Sequence, residues 1–373
     1  MQTTFPSRTL RRGNRGIIPG FAALVMLAPL LAAGNVSWRQ VLGQPPDWYE
    51  GPEAIRIADN VLLYQRSSGG WPKNIDMATD LPPSDRQRLI EDRSRNDAGI
   101  DNGATTTQVR YLAHVATTTH DRRFESACLA GLDYLLDGQY PNGGWPQFFP
   151  NPRGYSAHVT FNDNAMVNVL TLLRDIADER PGFAFIPSGR RTRAADAIAS
   201  GVNCILRCQV VVDGRRTVWC AQHDERTLAP APARSYEKIS LSGSESVGIV
   251  RFLMSLEHPS ADVRQSIEAA VAWFEASRIT GIRQVRKPDP SLPGGYDKVI
   301  VAEPDAPPLW ARFYEIGTNR PTFCGRDGVI KYTLAEIEHE RRVGYSWYGE
   351  GPKDLLTRDY PAWKQRVAPA PSE

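Results

Sequence analysis

The chain has 373 residues, of which 41% are hydrophobic and 23% are charged, and this composition is typical of a globular protein with a sizeable core. Its formal net charge is only +2, which argues against nucleic acid or an anionic membrane surface as its partner. An anionic ligand would therefore have to be held by a local cluster of cations.

The N-terminus predicts export from the cytoplasm. The apolar run FAALVMLAPLLAAG at 21–34 follows four arginines, with no acidic residue before it, as in secretory signal peptides. A membrane anchor is the alternative, but 14 residues fall short of the ~20 that a spanning helix needs. We expect residues 1–34 to be a signal peptide of a secreted or periplasmic protein without stable membrane insertion, and its removal leaves a charge of about −2. The Arg11-Arg12 pair is compatible with twin-arginine export.

The rest of the chain is expected to form one domain. Residues 35–51 contain proline and glycine breakers and predict a linker. Helical periodicity begins with PEAIRIADNVLLYQ, where Pro52 occupies a plausible first helical position. We assign residues 52–360 to a single domain and 361–373 to a flexible tail, and we expect the protein to be a monomer.

A short motif recurs at a fixed interval along this domain. Gly-Gly-Trp-Pro occurs around Trp71 and again around Trp145, and Trp219 follows after the same 74 residues. Such an interval indicates a structural repeat. Within each interval, two helical segments are followed by an irregular return segment, because glycine closes a helix and proline prevents its continuation.

Stacking explains how such units would reach stability. A single helical hairpin cannot bury its apolar face alone, whereas adjacent hairpins bury one another. The sequence therefore predicts an all-α protein, an α/α toroid of stacked helical hairpins. Residues 281–328 are rich in proline and glycine and lack periodicity, so we expect long loops over one face of the toroid. The three predicted hairpins are TTTQVRYLAHVAT with RRFESACLAGLDYLLDGQ, NDNAMVNVLTLLRDIADE with RTRAADAIASGVNCILRCQV, and SGSESVGIVRFLMSL with ADVRQSIEAAVAWFEASR.

The five cysteines give little functional information. Cys204 and Cys208 lie one helical turn apart and Cys220 follows soon after, so a disulfide to Cys220 is permissible in an oxidising compartment. A zinc site is disfavoured because no histidine lies beside them at ligand spacing.

Acidic and amide residues occur at the starts of two predicted helices. Asp101-Asn102 precedes one helix, and Asp163-Asn164 precedes the equivalent helix one hairpin later. Either pair could simply cap its helix, because Asp and Asn are preferred N-cap residues. Both pairs would nevertheless lie at the same end of the stack, and Ca²⁺ prefers carboxylate and amide oxygens. We therefore predict a calcium site built from separate loops, with Asp101, Asp163 and Asn102 as its ligands.

The third equivalent helix start has no acidic pair and is preceded instead by Arg234, in a loop bounded by prolines. A lone loop arginine is usually solvated or paired with a carboxylate. Arginine also binds carboxylates as a planar fork, and aromatic faces stack on sugar rings. Cations and aromatic residues facing a pair of acids therefore favour a cleft for an acidic sugar polymer. The candidate substrate-binding residues are Lys73, Asn164, Tyr236, Arg320 and Arg326.

Five motifs, in this order, resemble the family 10 polysaccharide lyases, which are pectate lyases: GGWPKN, IDNGATTTQVRYLA, YPNGGWPQF, HVTFNDNAM and ARSYEKISLSGSES. The resemblance extends over about residues 51–350. It implies an α/α toroid, calcium, and β-elimination on polygalacturonate. By matching position, Asp101 and Asp163 fall in the family's calcium and substrate cleft. Arg234 falls on its Brønsted base and Arg320 on an arginine that binds a substrate carboxylate.

The implied reaction suits these residue types. β-Elimination removes the C5 proton, which is α to the uronate carboxylate, and calcium on that carboxylate would acidify C5. Arginine is an unusual base because its pKa exceeds ~12, so we expect neighbouring cations to lower this pKa and alkaline conditions to favour the reaction. Two alternatives stay open: an inverting glycoside hydrolase that uses Asp101 and Asp163 as its carboxylate pair, and a non-catalytic protein that binds acidic polysaccharides.

Overall fold

The computed structural model describes residues 36–368. The predicted signal peptide at 1–34 and the last five residues of the predicted tail lie outside the described residues. No helix within the described range is long and apolar enough to cross a membrane. The α-helices of this range are α1 (Pro52–Tyr64), α2 (Pro83–Glu91), α3 (Thr106–Thr119), α4 (Arg122–Asp137), α5 (Ala165–Ala177), α6 (Ser188–Cys208), α7 (Glu245–Met254), α8 (Ala261–Ala276), α9 (His339–Gly344), α10 (Gly351–Asp354) and α11 (Tyr360–Val367).

The described strands are mostly two residues long and pair antiparallel in two-stranded sheets. The pairs are β1 with β4, β2 with β3, β5 with β9, β6 with β7, β8 with β12, and β10 with β11. The strands are β1 (Val159–Thr160), β2 (Val211–Val212), β3 (Arg215–Arg216), β4 (Gln222–His223), β5 (Leu241–Ser242), β6 (Ile282–Pro288), β7 (Tyr296–Ala302), β8 (Trp310–Ala311), β9 (Phe313–Tyr314), β10 (Phe323–Cys324), β11 (Ile330–Lys331) and β12 (Tyr348–Gly349).

The helices form two layers. Each predicted hairpin is present, because α3 packs on α4, α5 on α6, and α7 on α8. Along one layer α3 contacts α5 and α5 contacts α7, while along the other α1, α4, α6 and α8 contact one another in order. The predicted α/α toroid is confirmed.

The repeated tryptophans have equivalent positions in successive repeats. Each side chain is fully buried, and each indole N–H donates a hydrogen bond to a main-chain carbonyl of the helix that precedes it. This bond fixes the return segment against the helix end, so each repeat directs its next helix start toward the same end of the stack. The pairs are Trp71 with Val61, Trp145 with Leu135, and Trp219 with Ile205, each at 2.7 Å.

A repeated glutamine, which sequence analysis did not single out, fastens each repeat to the next. Its amide group, buried in Gln65 and Gln209 and partly buried in Gln139, donates to a carbonyl of its own return segment and to a second carbonyl in the second helix of the following hairpin. Every bond is 2.8–2.9 Å long. Gln65 bonds to Gly69 and Ala127, Gln139 to Gly143 and Ala197, and Gln209 to Thr217 and Ser266.

A fourth copy of the tryptophan contact is present at Trp310, whose indole donates to Phe274 O at 2.8 Å. The interval between Trp219 and Trp310 is not the 74 residues of the earlier repeats, because β6 and β7 form a long antiparallel hairpin between α8 and Trp310. The hairpin runs from the pair Ile282–Ala302 to the pair Pro288–Tyr296. The prediction that residues 281–328 are long loops was therefore wrong for the part of the segment that forms this hairpin.

A second apolar cluster lies under the C-terminal segments. Ile300 of β7 packs against it, so the hairpin is attached to the body of the protein through one face. The buried members of the cluster are Phe313, Phe323, Leu334, Ile337 and Trp347.

Residues 37–51 are not the predicted linker. They form two 3₁₀-helices, Trp38–Gly43 and Pro46–Glu50, and belong to the compact unit that begins at residue 37. Tyr49 is buried and stacks on His114 of α3 with ring centroids 4.7 Å apart. This aromatic packing offsets the cost of ordering a segment that is rich in breakers.

The predicted flexible tail is ordered over its first part. Residues 360–367 form α11, Trp363 is buried, and the Arg366 guanidinium donates to Met254 O at the end of α7. The permitted disulfide to Cys220 is absent, because all five cysteines are free and buried.

Replacing Trp310 by Phe should lower the free energy of unfolding by about 1–3 kcal/mol, because the Phe274 carbonyl would stay buried without its donor. Trp363 is the matched control: its side chain is buried, but its indole N–H has no partner among the described residues, so Trp363→Phe should cost less. Denaturant unfolding of both variants measures the difference. Equal losses would show that the indole bond does not stabilise the repeat.

Candidate active site

The two acidic pairs lie side by side at one end of the helical stack. Each belongs to a short 3₁₀ turn, Asp101–Gly103 before α3 and Asn162–Asn164 before α5, and the two turns contact each other. Asn102, Asp163 and Asn164 have positive φ angles of 52°, 49° and 60°, a conformation that Asn and Asp tolerate best among residues with a side chain. The predicted convergence of the two pairs is therefore present.

Neither acid acts as a helix cap. The N-cap residues of α3 and α5 are Thr105 and Asn164, and neither helix has a side-chain capping bond. The alternative that these acids serve only to cap their helices is therefore excluded by the geometry of the two turns.

Asp101 is a buried carboxylate that is only half satisfied. Its Oδ2 accepts a hydrogen bond from the Lys73 ammonium, which also lies 5.5 Å from the Phe148 ring centroid. Its Oδ1 is buried and has no hydrogen-bond partner among the described residues. A buried acceptor without a partner is costly, so this oxygen is available for a cation or an added donor.

Asp163 is more open, with 41% of its side chain exposed. Its Oδ2 accepts from Asn162 Nδ2 at 2.8 Å, and its Oδ1 lies 3.4 Å from the guanidinium of Arg312. The longer contact leaves Asp163 Oδ1 with room for a stronger partner.

Arg312, a residue that the sequence analysis missed, lies at the centre of the site. Its side chain is 10% exposed, and it forms an ion pair with Glu245, which is 2% exposed. Burial alone would lower the pKa of the guanidinium, but the charge of Glu245 raises it above its ordinary value. Arg312 is therefore a permanent cation beside Asp163.

Arg234 is half-exposed and is held by a buried glutamate. Its Nε donates to Glu237 Oε2 at 2.9 Å, and Tyr345 Oη donates to Glu237 Oε1 at 2.8 Å. Partial burial acts to lower the pKa of Arg234, whereas the hydrogen bond and charge of Glu237 raise it, and the net shift is upward. This direction is opposite to the lowering that we expected from nearby cations.

Contacts connect Arg234 to the acidic turns. The Arg312 guanidinium lies 4.7 Å from the Tyr345 ring centroid, and Tyr345 in turn bonds to the glutamate that holds Arg234. The path from Asp163 therefore runs through Arg312, Tyr345 and Glu237 to Arg234. Tyr345 and Glu237 thus place the guanidinium of Arg234 relative to the acids.

Three other predicted residues contact protein side chains. Tyr236 is 6% exposed; it meets Tyr345 edge to face, and its ring centroid lies 5.4 Å from the Arg234 guanidinium. It is therefore a packing residue beside Arg234 rather than the sugar-stacking surface that we expected. Arg326 pairs with Glu340. Arg320 lies over the Tyr332 ring, 3.6 Å from its centroid.

An open cleft of about 880 Å³ lies beside the acidic turns. Lys73, Asn102 and Asp163 line it, together with Trp38 and Arg39 from the segment that we had predicted to be a linker. A smaller recess of about 260 Å³ is lined by Asn164 and Arg312. Lys73, Asn102 and Asp163 therefore share one concave surface, whereas the predicted residue Asn164 lines the smaller recess.

A compact set of metal-binding side chains occurs elsewhere. Within residues 36–368, the ligand atoms of His158, Asp224 and Glu225 lie within 4.8 Å of one another. Asp101 and Asp163 do not form such a set by themselves. A cation held by these two acids would need further oxygens from amides, water or a bound ligand.

Comparison with known proteins identifies the chain as a polysaccharide lyase. The features compared with theirs are an α/α toroid with buried acids and cations and an open polar cleft at one end. The chain belongs to the pectic acid lyase family, whose model matches residues 65–356. No curated protein matches the chain.

The similar solved structures include two of a family 10 polysaccharide lyase from Cellvibrio cellulosa. A substituted variant in complex with trigalacturonic acid is 34% identical, with a TM-score of 0.73, and the match covers 90% of this chain and 100% of that chain. The other is 35% identical, with a TM-score of 0.71, and the match covers 86% of this chain and 94% of that chain. The resemblance found in the sequence is confirmed, and it favours a lyase over a glycoside hydrolase.

Asp163→Ala should lower the free energy of unfolding by only about 1–2 kcal/mol, because the side chain is partly exposed and caps no helix, and alanine tolerates the positive φ of this position less well than aspartate. Arg312→Ala should cost about 3–5 kcal/mol, since it leaves the carboxylate of Glu245 buried without its cation. Denaturant unfolding without substrate measures both values.

The double variant Arg312→Ala with Glu245→Gln separates the lost ion pair from lost packing, and it should recover part of the stability. A large loss in Asp163→Ala would mean that this acid serves the fold rather than the site.

Proposed function

We propose that the protein is a secreted pectate lyase that cleaves polygalacturonate by calcium-dependent β-elimination, with Arg234 as the Brønsted base. The observation that carries this proposal is the half-satisfied, buried carboxylate of Asp101 beside the partly open carboxylate of Asp163, in the cleft of a polysaccharide lyase fold. The similar structure that contains trigalacturonic acid supports a uronate polymer as the substrate, and the apolar run at 21–34 supports secretion.

The residues at the acidic turns fit a calcium ion. Asp101 Oδ1 is an unpartnered oxygen, Asp163 Oδ1 has only a long contact, and Asn102 lines the same cleft. These are hard oxygen donors of the kind that Ca²⁺ prefers, and two carboxylates leave several of its 6–8 ligand positions to water and uronate. When bound, calcium would supply positive charge that acidifies C5 of the uronate.

The formal charges of the site support the same assignment. Lys73 and Arg312 oppose the three carboxylates of Asp101, Glu245 and Asp163, so these five side chains together carry one net negative charge. A divalent cation together with one uronate carboxylate would bring the cluster to neutrality. A low-dielectric site is most stable when its charges balance in this way.

The chain's own residues then have distinct tasks. Lys73 and Arg312 hold fixed positive charge where negative charge develops on the sugar during proton removal. Neutral Arg234 would accept the C5 proton, the electron pair would form the C4–C5 double bond as the C4–O4 bond breaks, and the departing oxygen would take a proton from water. Glu237 and Tyr345 orient the guanidine for this transfer.

Glu237 also makes the reaction dependent on pH. It raises the pKa of Arg234 in the free protein, so the neutral base is scarce at neutral pH and becomes more abundant as pH rises. Activity should therefore increase into the alkaline range.

Incubation of the purified protein with polygalacturonate should produce unsaturated uronates, seen as a rise in ultraviolet absorbance, and chelation of calcium should abolish the rise until calcium is restored. Asp163→Ala should stay inactive in excess calcium. Reducing ends that appear without unsaturation would instead indicate a hydrolase, and tight binding without cleavage would indicate a polysaccharide-binding protein.

Substitution at Arg234 and at Glu237 distinguishes a base from an anchor. If Arg234 is the base, Arg234→Lys should lower kcat by a factor on the order of 10² or more, whereas loss of an anchor would mainly raise KM. Glu237→Gln removes the charge that raises the pKa of Arg234, so the rising limb of the pH–kcat profile should move to lower pH. If Glu237→Gln instead lowers kcat without moving the pH–kcat profile, Glu237 has only an orienting role. That outcome would also argue against Arg234 as the base whose titration sets the profile.

A further inference from the structure

The N-terminal segment supplies two side chains to the cleft that have no counterpart in the family motifs. Trp38 and Arg39 line the cleft together with Lys73 and Asp163, although the match to the family model begins only at residue 65. They therefore belong to a part of the cleft that lies outside the matched region.

The backbone of this segment is fixed in place. Gln40 Oε1 closes its first turn by accepting from the Ser37 N–H at 3.2 Å and from the Ser37 hydroxyl at 2.8 Å, and the Trp38 backbone N–H donates to Asp76 Oδ1 at 3.1 Å. Asp76 accepts a second bond from the Ala78 N–H at 3.0 Å, so this carboxylate is oriented by two backbone donors. The segment is thus a preformed wall of the cleft.

The Trp38 side chain is only half-buried. Its ring meets the Tyr111 ring edge to face, with centroids 5.6 Å apart and an interplanar angle of 71°. Part of the indole therefore stays accessible where the cleft opens, and an exposed aromatic face is suited to stacking on a sugar ring.

Arg39 differs from the other cations of the site. Lys73 is paired with Asp101, and Arg312 with Glu245. Arg39 is exposed and has no ion-pair or hydrogen-bond partner among the described residues. An uncompensated guanidinium that lines a cleft is available to bind a carboxylate of a ligand as a planar fork.

We propose that Trp38 and Arg39 form a distal galacturonate subsite, in which the indole stacks on a sugar ring and the guanidinium binds that sugar's carboxylate. This proposal rests on the proposed function, because it takes polygalacturonate as the ligand. It makes the N-terminal segment a determinant of chain-length preference, since only an oligomer that extends from the acidic turns to Trp38 and Arg39 would contact both.

The experiment compares wild type, Arg39→Ala and Trp38→Ala on a series of galacturonate oligomers from the dimer to long chains. For long chains, kcat/KM should fall by about fivefold in Arg39→Ala, as expected for one partly solvated ion pair, and added salt should reduce this difference. For the dimer, kcat/KM should equal that of wild type.

Controls separate the subsite from folding. Arg215→Ala removes an exposed arginine of β3 that also has no ion pair among the described residues, and its kcat/KM should be unchanged at every chain length. Trp38→Phe keeps an aromatic face, so its kcat/KM for long chains should recover much of what Trp38→Ala loses. Because Trp38→Ala also loses the contact with Tyr111, its thermal midpoint is measured as a check on folding.

Calorimetric binding of the same oligomers to wild type and Arg39→Ala tests the subsite independently of turnover. If Arg39→Ala binds long chains more weakly than wild type but binds the dimer equally well, the subsite is supported. This holds even if the wild type produced no unsaturated uronate and the proposed function failed. An unchanged affinity, or an equal loss at every chain length, would overturn the subsite even if the wild type proved to be a pectate lyase.

Discussion

The structure depends on one buried contact, the hydrogen bond from a tryptophan indole to the main-chain carbonyl of the preceding helix. The bond fixes the direction in which the chain leaves that helix, and the glutamine near the helix end attaches the same return segment to the next hairpin. Because both contacts involve main-chain carbonyls, they set backbone position and not only side-chain packing. As a result, the turns that carry Asp101 and Asp163 lie against each other although 62 positions separate them in the chain.

The active site uses this alignment to gather charges that would be costly in a single repeat. Two of the buried acids are placed beside a cation that is distant in the chain, Asp101 beside Lys73 and Glu245 beside Arg312. The fold therefore bears the desolvation cost of the charged groups before any ligand arrives. Such preorganised charge requires little rearrangement when negative charge develops on a bound sugar.

Features that recur in each repeat could be predicted from the sequence, whereas features that arise from contacts between distant parts of the chain could not. The tryptophan interval and the paired acids at helix starts predicted the toroid and the position of the acidic turns. Arg312 was missed because its importance comes from burial beside Glu245, a contact between residues 67 positions apart that no local pattern indicates.

The other misses have similar causes. Residues 37–51 resemble a linker in composition, and their contacts with α1, α3 and Asp76 make them part of the domain. The β6–β7 hairpin does carry a local signal, since β-branched residues flank a proline- and glycine-rich turn: Ile282 and Val285 before it, and Val299, Ile300 and Val301 after it. The prolines and glycines of the turn itself led instead to the prediction of a loop.

The hairpin between α8 and Trp310 has a consequence for how this fold can change. The fourth return segment is much longer than the other three, yet Trp310 still reaches the carbonyl at the end of its helix. The anchoring bond thus tolerates extra chain between its partners, because the entropy of closing a loop grows only slowly with loop length. Return segments of this toroid are therefore positions where evolution, or a protein engineer, can add whole structural modules and leave the placement of the helix starts unchanged.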